Sequence, residues 1–222
     1  PQDYIYADKT ALTKLGEYFR DTPDGQAYWK VLANNAAQVV NQWDFNRTGF
    51  GAQRYIYCLG QLPALSLVYL YSGQPLLGRF IHDHVMQTVE LPMEFWLHAE
   101  LRGYNLKKPA GALETASLSS ALAQCLSAAA DIFTHDELKT VRAALQKKGL
   151  QPTLNWLDRP RANNWTAVIG AGTYTTARYL GDRKAQETAL ERMRFYLEQT
   201  IEADGSYGEG NAYFNYPVNT LF

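Results

Sequence analysis

The stretch RANNWTAVIGAG, residues 161–172, places two amides, Asn163 and Asn164, and the indole of Trp165 ahead of a run of small residues. Two guanidinium groups, Arg159 and Arg161, stand close by in the chain. Amides and guanidinium forks are donors that can hold a carboxylate or a developing oxyanion. A second stretch, DGSYGEGNAYFNY, residues 204–216, carries Glu209, Tyr213 and Tyr216. A tyrosine can serve as proton acceptor and donor when its hydroxyl lies within hydrogen-bond reach of the reacting atoms. Each group also has a structural use. Either Asn can cap the helix that follows Pro160, Trp165 can fill a core, and the tyrosines can form an aromatic helix face. His98 opens the triplet HAE ahead of a cationic loop, from which it can reach a cleft. His82 and His84 are two apart, hence on different helix faces, and make a poor metal pair. No metal-ligand cluster, phosphate-binding glycine loop or Ser-His-Asp order stands out, and the sequence calls for no cofactor.

Composition narrows what these groups can meet. A chain of 222 residues with 46% hydrophobic residues can bury a real core. The formal net charge of -1 excludes a globally basic nucleic-acid binder, so an anionic ligand must meet a local patch. Aromatic residues make up 13%, including 15 Tyr and 5 Trp, enough to line a concave surface that stacks on sugars or bases as well as helix interfaces. Cys58 and Cys125 match no zinc or redox spacing and read as buried thiols. No apolar run reaches the roughly 18 residues of a membrane span, and the start PQDYIYAD lacks signal-peptide character.

The elements that must position the site are helices. Apolar residues recur at helical spacing almost throughout and alternate nowhere for long, which predicts an all-α domain over 1–222. Helices are expected at 9–20, 24–43, 50–72, 75–99, 113–131, 135–147, 162–180 and 184–202, with another beginning near 209. Gly73, Gly149 and Gly181 read as helix ends, and Thr134 with Glu137 as a capping box. The short links in VYLYSGQPLLGRF, ADIFTHDELKTVR and ARYLGDRKAQETA force antiparallel neighbours. Stacked hairpins of this kind form a solenoid or a closed toroid. Ala116, Ser120, Ala123 and Ser127 give one helix a small-residue face that admits a close neighbour. Two longer breaks, 100–112 and 149–162, gather Arg102, Lys107 and Lys108 in the first and Arg159 and Arg161 in the second. Such loops are where a helical scaffold carries binding groups.

The order NNW, YLGD, an amphipathic helix and then DGSYGEGNAYFNY resembles the helical domain of heparinase II/III-like polysaccharide lyases. That family shows an NNW or NNH element followed by a DGSYPEGPGYWNYG-like one. The helix LETASLSSALAQCLSAAADIF is also similar, and the likeness covers about residues 50 to 222. It implies an incomplete (α/α) toroid and cleavage of a uronic-acid glycan by β-elimination. Loss of the C5 proton is opposed by the adjacent carboxylate, so a donor must hold that carboxylate as it gains charge. The family pattern gives this role to Asn164, with Asn163, Arg159 and Arg161 beside it. The same pattern makes Tyr213 the base and acid, with Tyr216 as its substitute on the same helix face. Only about 0.1% of an ordinary tyrosine is phenolate at pH 7, so nearby cations must lower its pKa. Glu209 would orient Arg or Tyr, Trp165 would stack on a sugar, and His98 would contact substrate. Where some members carry histidine after the second Asn, this chain has Trp165, which shifts proton transfer to tyrosine.

The resemblance further implies an acidic polysaccharide as partner, a periplasmic or secreted location, and more helices followed by a β-sandwich beyond Phe222. The chain therefore reads as the N-terminal part of such an enzyme. The same aromatics would also serve a non-catalytic glycan-binding toroid, which needs no Asn, Arg and Tyr constellation. A protein-binding helical scaffold would instead keep its aromatics buried.

Overall fold

Local signals start and stop most of the helices. The computed structural model describes residues 5, 7–42, 59–98, 107–159, 161–202, 204 and 207. Its helices are α1 Lys9–Asp21, α2 Pro23–Gln42, α3 Leu62–Ser72, α4 Pro75–Glu90, α5 Leu113–Ala128, α6 His135–Ala144, α7 Gln151–Leu157, α8 Asn164–Leu180 and α9 Arg183–Thr200. Short 3-10 turns at Met93–Trp96 and Ala130–Ile132 follow α4 and α5. The described residues include no β-strand, only isolated bridge residues such as Ile201 paired with Tyr207. The all-helical expectation holds.

Asp8 caps α1 by accepting from the Ala11 N–H at 2.8 Å. Gly73 ends α3 in the left-handed region at φ 62, and Gly181 ends α8 at φ 80, a conformation that costs a side-chain-bearing residue. Thr134 and Glu137 form the expected capping box, with Glu137 accepting from the Thr134 N–H at 2.8 Å. Links of one or two residues leave α1 against α2, α3 against α4 and α8 against α9 as hairpins.

The helix α5 sits between these units and packs against both α3 and α8. Of its 16 residues 11 are buried, so it is core on nearly every face. Leu118, Leu122 and Leu126 are fully buried, each contributing about 1.5–3 kcal/mol on leaving water. The small-residue face does what its spacing predicts at Ala116: a Cβ added to Gly172 would come 2.6 Å from the Ala116 carbonyl oxygen. The backbones of α5 and α8 therefore meet where neither carries bulk.

Several boundaries differ from expectation, among them the helix expected over 50–72, which a turn at Gly60 and Gln61 interrupts before α3 begins at Leu62. The helix expected to run to residue 99 stops at Glu90, because Pro92 has no N–H and holds Leu91 extended at ψ 138. Gly149 ends no helix. A π-helical turn, Leu145–Leu150, carries α6 on into α7, so much of the break expected at 149–162 is helical. Gly149 is instead a close-approach residue, since a Cβ there would lie 2.9 Å from Ser119 Cβ. The same turn brings Lys148 Nζ to the carbonyls of Val89 and Leu91 at 2.6 and 2.7 Å, capping α4 from outside. Residues 43–58 and the helix expected from 209 lie outside the described residues.

Candidate functional site

The turn ahead of α8 is held by backbone and threonine rather than by the amides. Asn163 N–H and the Thr166 hydroxyl both donate to the Arg161 carbonyl, the first at 2.9 Å. Asn163 occupies the N-cap position with φ -140 and ψ 166, yet lends no side-chain cap bond. Its side-chain oxygen is buried and meets no hydrogen-bond partner among the described residues. The capping explanation therefore does not use the Asn163 amide. Asn164 is the first residue of α8 and is half-buried. Both amides lie at a helix end whose first N–H groups have no intrahelical acceptor, the end that favours negative charge.

Trp165 is half-buried and joins Leu113 and Trp156 around the buried Ala112, Ala116, Leu157 and Ile169. Its ring stacks near Trp156, with centroids 6.3 Å apart at 28°. On another side it meets His98, centroids 5.8 Å apart at 41°. Core packing thus accounts for part of Trp165, while His98 arrives beside it from the far end of a different segment. His98 Nε2 lies 3.4 Å from Glu114 Oε1, with side chains 14% and 6% exposed. Sequence reasoning passed over Glu114. Its signal was a carboxylate in the first turn of an otherwise small and apolar helix, a place where charge needs a partner.

The two cationic breaks are sewn together. Gly111 N–H donates to the Pro152 carbonyl at 2.7 Å, and Asn155 Nδ2 to the Pro109 carbonyl at 2.8 Å. Lys108 Nζ lies 3.3 Å from Asp158 Oδ2. Lys107, Lys108, Arg159 and Arg161 are all exposed. An exposed ion pair of this kind adds little stability. Its meaning is positional, because it sets the first break beside the chain that leads into Asn163.

The aromatic stretch begins against the same helix. Tyr207 is buried, and its hydroxyl lies 2.6 Å from the Tyr196 hydroxyl. Tyr196 and Tyr207 form one cluster with Ala167, which lies in the first turn of α8 just beyond Asn164. Glu209, Tyr213 and Tyr216 lie outside the described residues, as do Cys58 and Arg102.

Other groups behave as core or surface. Cys125 is fully buried, and burial pushes its thiol up to about 12. His84 stacks on Phe80 and its Nδ1 lies 2.8 Å from the Phe80 carbonyl, and burial lowers its pKa. Among the described residues no cluster of His, Cys, Asp and Glu could hold a metal, and no helix is long and apolar enough to cross a membrane. Two open clefts bounded by described residues lie away from the Asn163 group, one of about 630 Å³ beside α1 and one of about 320 Å³ beside His82. No protein-family model matches this chain, and no curated protein does.

Proposed function

We propose that this chain is the helical domain of a polysaccharide lyase that cleaves a uronic-acid-containing glycan by β-elimination, its hairpins forming part of an (α/α) toroid. The observation that carries the reading is that Tyr207 shares one buried cluster with Tyr196 and Ala167. It draws the start of the DGSYGEGNAYFNY stretch to the helix end that bears Asn163 and Asn164. The half-buried amides, the His98 and Glu114 pair, Trp165 and the exposed Arg159 and Arg161 border that end.

In this reading Asn164, assisted by Asn163 and the two arginines, holds the uronate carboxylate. Tyr213 as phenolate takes the C5 proton, and the electron pair moves into the carboxylate as it gains negative charge. Collapse forms the C4–C5 double bond and breaks the C4–O bond. The departing glycosidic oxygen takes the proton back from Tyr213, so one residue serves as base and acid. Amide donors are suited to the first role because they are preorganised and cost no reorganisation as charge develops. The partner in this reading is an acidic polysaccharide or oligosaccharide, and the resemblance implies a periplasmic or secreted location. Incubating the full-length protein with a panel of uronate glycans, and following absorbance of the unsaturated product, tests the reading. Absence of product from every uronate glycan overturns it.

A further inference from the structure

The cleft of about 630 Å³ lies between α1, α2 and the α3–α4 turn, on elements other than those that carry Asn163 and its neighbours. That volume is in the range of small-molecule sites, about 300–1,000 Å³. Its apolar wall is already built. Phe19 meets Tyr71 edge to face at 5.6 Å and 87°, and Trp29 meets Tyr71 at 6.2 Å and 89°. Phe19 is buried behind, while Trp29 and Tyr71 are half-buried. Tyr71 is held in place by donating its hydroxyl to the Leu12 carbonyl at 2.7 Å. It can cross α1 because residue 16 is glycine, where a Cβ would lie 2.9 Å from Tyr71 Cε1.

The polar rim decides the ligand class. Arg20 meets its neighbour Asp21 through two parallel contacts at 2.8 and 2.9 Å. Among the described lining residues the charges are Arg20 and Glu17, and Glu17 also acts on Arg20, so the rim carries no net positive charge to hold an anion. Thr13 donates its hydroxyl to the Lys9 carbonyl and keeps its oxygen as an acceptor. Ser72 Oγ accepts from the Gln74 N–H at 3.3 Å and keeps its proton to donate. Gln74 adds both an acceptor and a donor at the rim. Donors and acceptors set around a fixed aromatic wall match a ring with hydroxyls at its edge and C–H groups on its face. An organic cation would use the rings and Glu17 but leave the hydroxyls and the amide without a role.

We propose that this cleft binds a neutral saccharide ring, through Trp29 and Tyr71 on its face and Glu17, Ser72 and Gln74 on its hydroxyls. The test is calorimetric titration of the protein with cellotetraose, maltotetraose and mannotetraose, and with choline chloride in parallel. At least one tetrasaccharide should bind. Trp29→Leu and, separately, the surface change Gln74→Ala should each weaken it by about fivefold or more. Asn164→Ala should leave that binding unchanged, whether or not the protein proves to be a lyase. Helical circular dichroism checks each variant, and Gln74→Ala carries the test if Trp29→Leu fails to fold. Absence of binding by all three sugars, binding that both variants keep, or binding of choline alone overturns the proposal.

Discussion

The hydroxyls of Tyr196 and Tyr207 lie 2.6 Å apart inside the protein, and this pair ties the start of the tyrosine-rich stretch to α9. Removing either hydroxyl takes a buried partner from the other, so Tyr196→Phe and Tyr207→Phe should each cost about 1 kcal/mol. The double variant should cost clearly less than the sum, because no hydroxyl is then left behind. Urea unfolding of the four proteins measures the coupling, and strict additivity would show that the pair contributes nothing jointly.

The proposed proton transfer by Tyr213 makes a sharp kinetic demand. Tyr213→Phe keeps the ring and should lower turnover on a uronate glycan by about 100-fold or more while binding changes little. Asn164→Ala removes a donor worth about 3–4 kcal/mol at comparable oxyanion sites and should also lower turnover. Tyr216→Phe should be milder. Near-normal turnover by Tyr213→Phe rejects that assignment, and a collapse with Tyr216→Phe moves the role three residues along the chain.

Glu114 is a buried carboxylate whose Oε1 lies 3.4 Å from His98 Nε2. Glu114→Ala removes this contact and opens a void under Trp165's neighbour, so stability should fall by about 1–3 kcal/mol in urea unfolding. Glu114→Gln keeps the shape and a polar atom and should cost less. Equal losses in the two variants would assign the effect to the carboxylate rather than to packing.

The contact between Gly172 and Ala116 leaves no room for a methyl group. A Cβ on residue 172 would lie 2.6 Å from a backbone oxygen, which cannot rotate away as a side chain could. Gly172→Ala should therefore destabilise by about 1–3 kcal/mol despite its better helix propensity. Gly73→Ala meets nothing within 4 Å, but its φ of 62 is strained for alanine, and it should cost about 1 kcal/mol. A gain of melting temperature in the first variant would contradict the close-packed interface.

The pair His82 and Glu137 predicts how stability moves with pH. Hydrogen bonds from the Thr134 N–H and hydroxyl, and then from His82, bring the Glu137 carboxyl from 4.5 to about 2. A lowered carboxylate contributes above its unfolded value, so this stabilisation is present above pH 4.5 and is lost as pH falls towards 2. The bond to Asp83, and then Glu137, raises His82 above 6.5. A raised histidine contributes fully below 6.5 and loses the contribution as pH climbs through the raised value. Melting temperature should fall on both sides of the interval between 4.5 and 6.5. Glu137→Gln should flatten the acid limb, and an unchanged limb would remove Glu137 from the account.

Much of this architecture is legible in the chain because its causes are local. Gly73, Gly181 and the Thr134–Glu137 box act within one turn, and short links leave paired helices little choice but to fold back. The small residues of α5 announce a close helix contact before its partner is known. Tertiary structure alone decides the rest. Gly149 looks like a helix end, yet its lack of a Cβ answers to Ser119 on another helix, and a π turn runs straight through it. No spacing rule joins His98 to Glu114, or Tyr207 to the cluster of Tyr196 and Ala167, because packing brings them together across distant parts of the chain. Residue type announces that Asn163 can donate or cap. Only the fold decides that threonine and backbone hold the turn, leaving the amide unbonded among the described residues, since a hydrogen bond is made by whichever group geometry brings nearest.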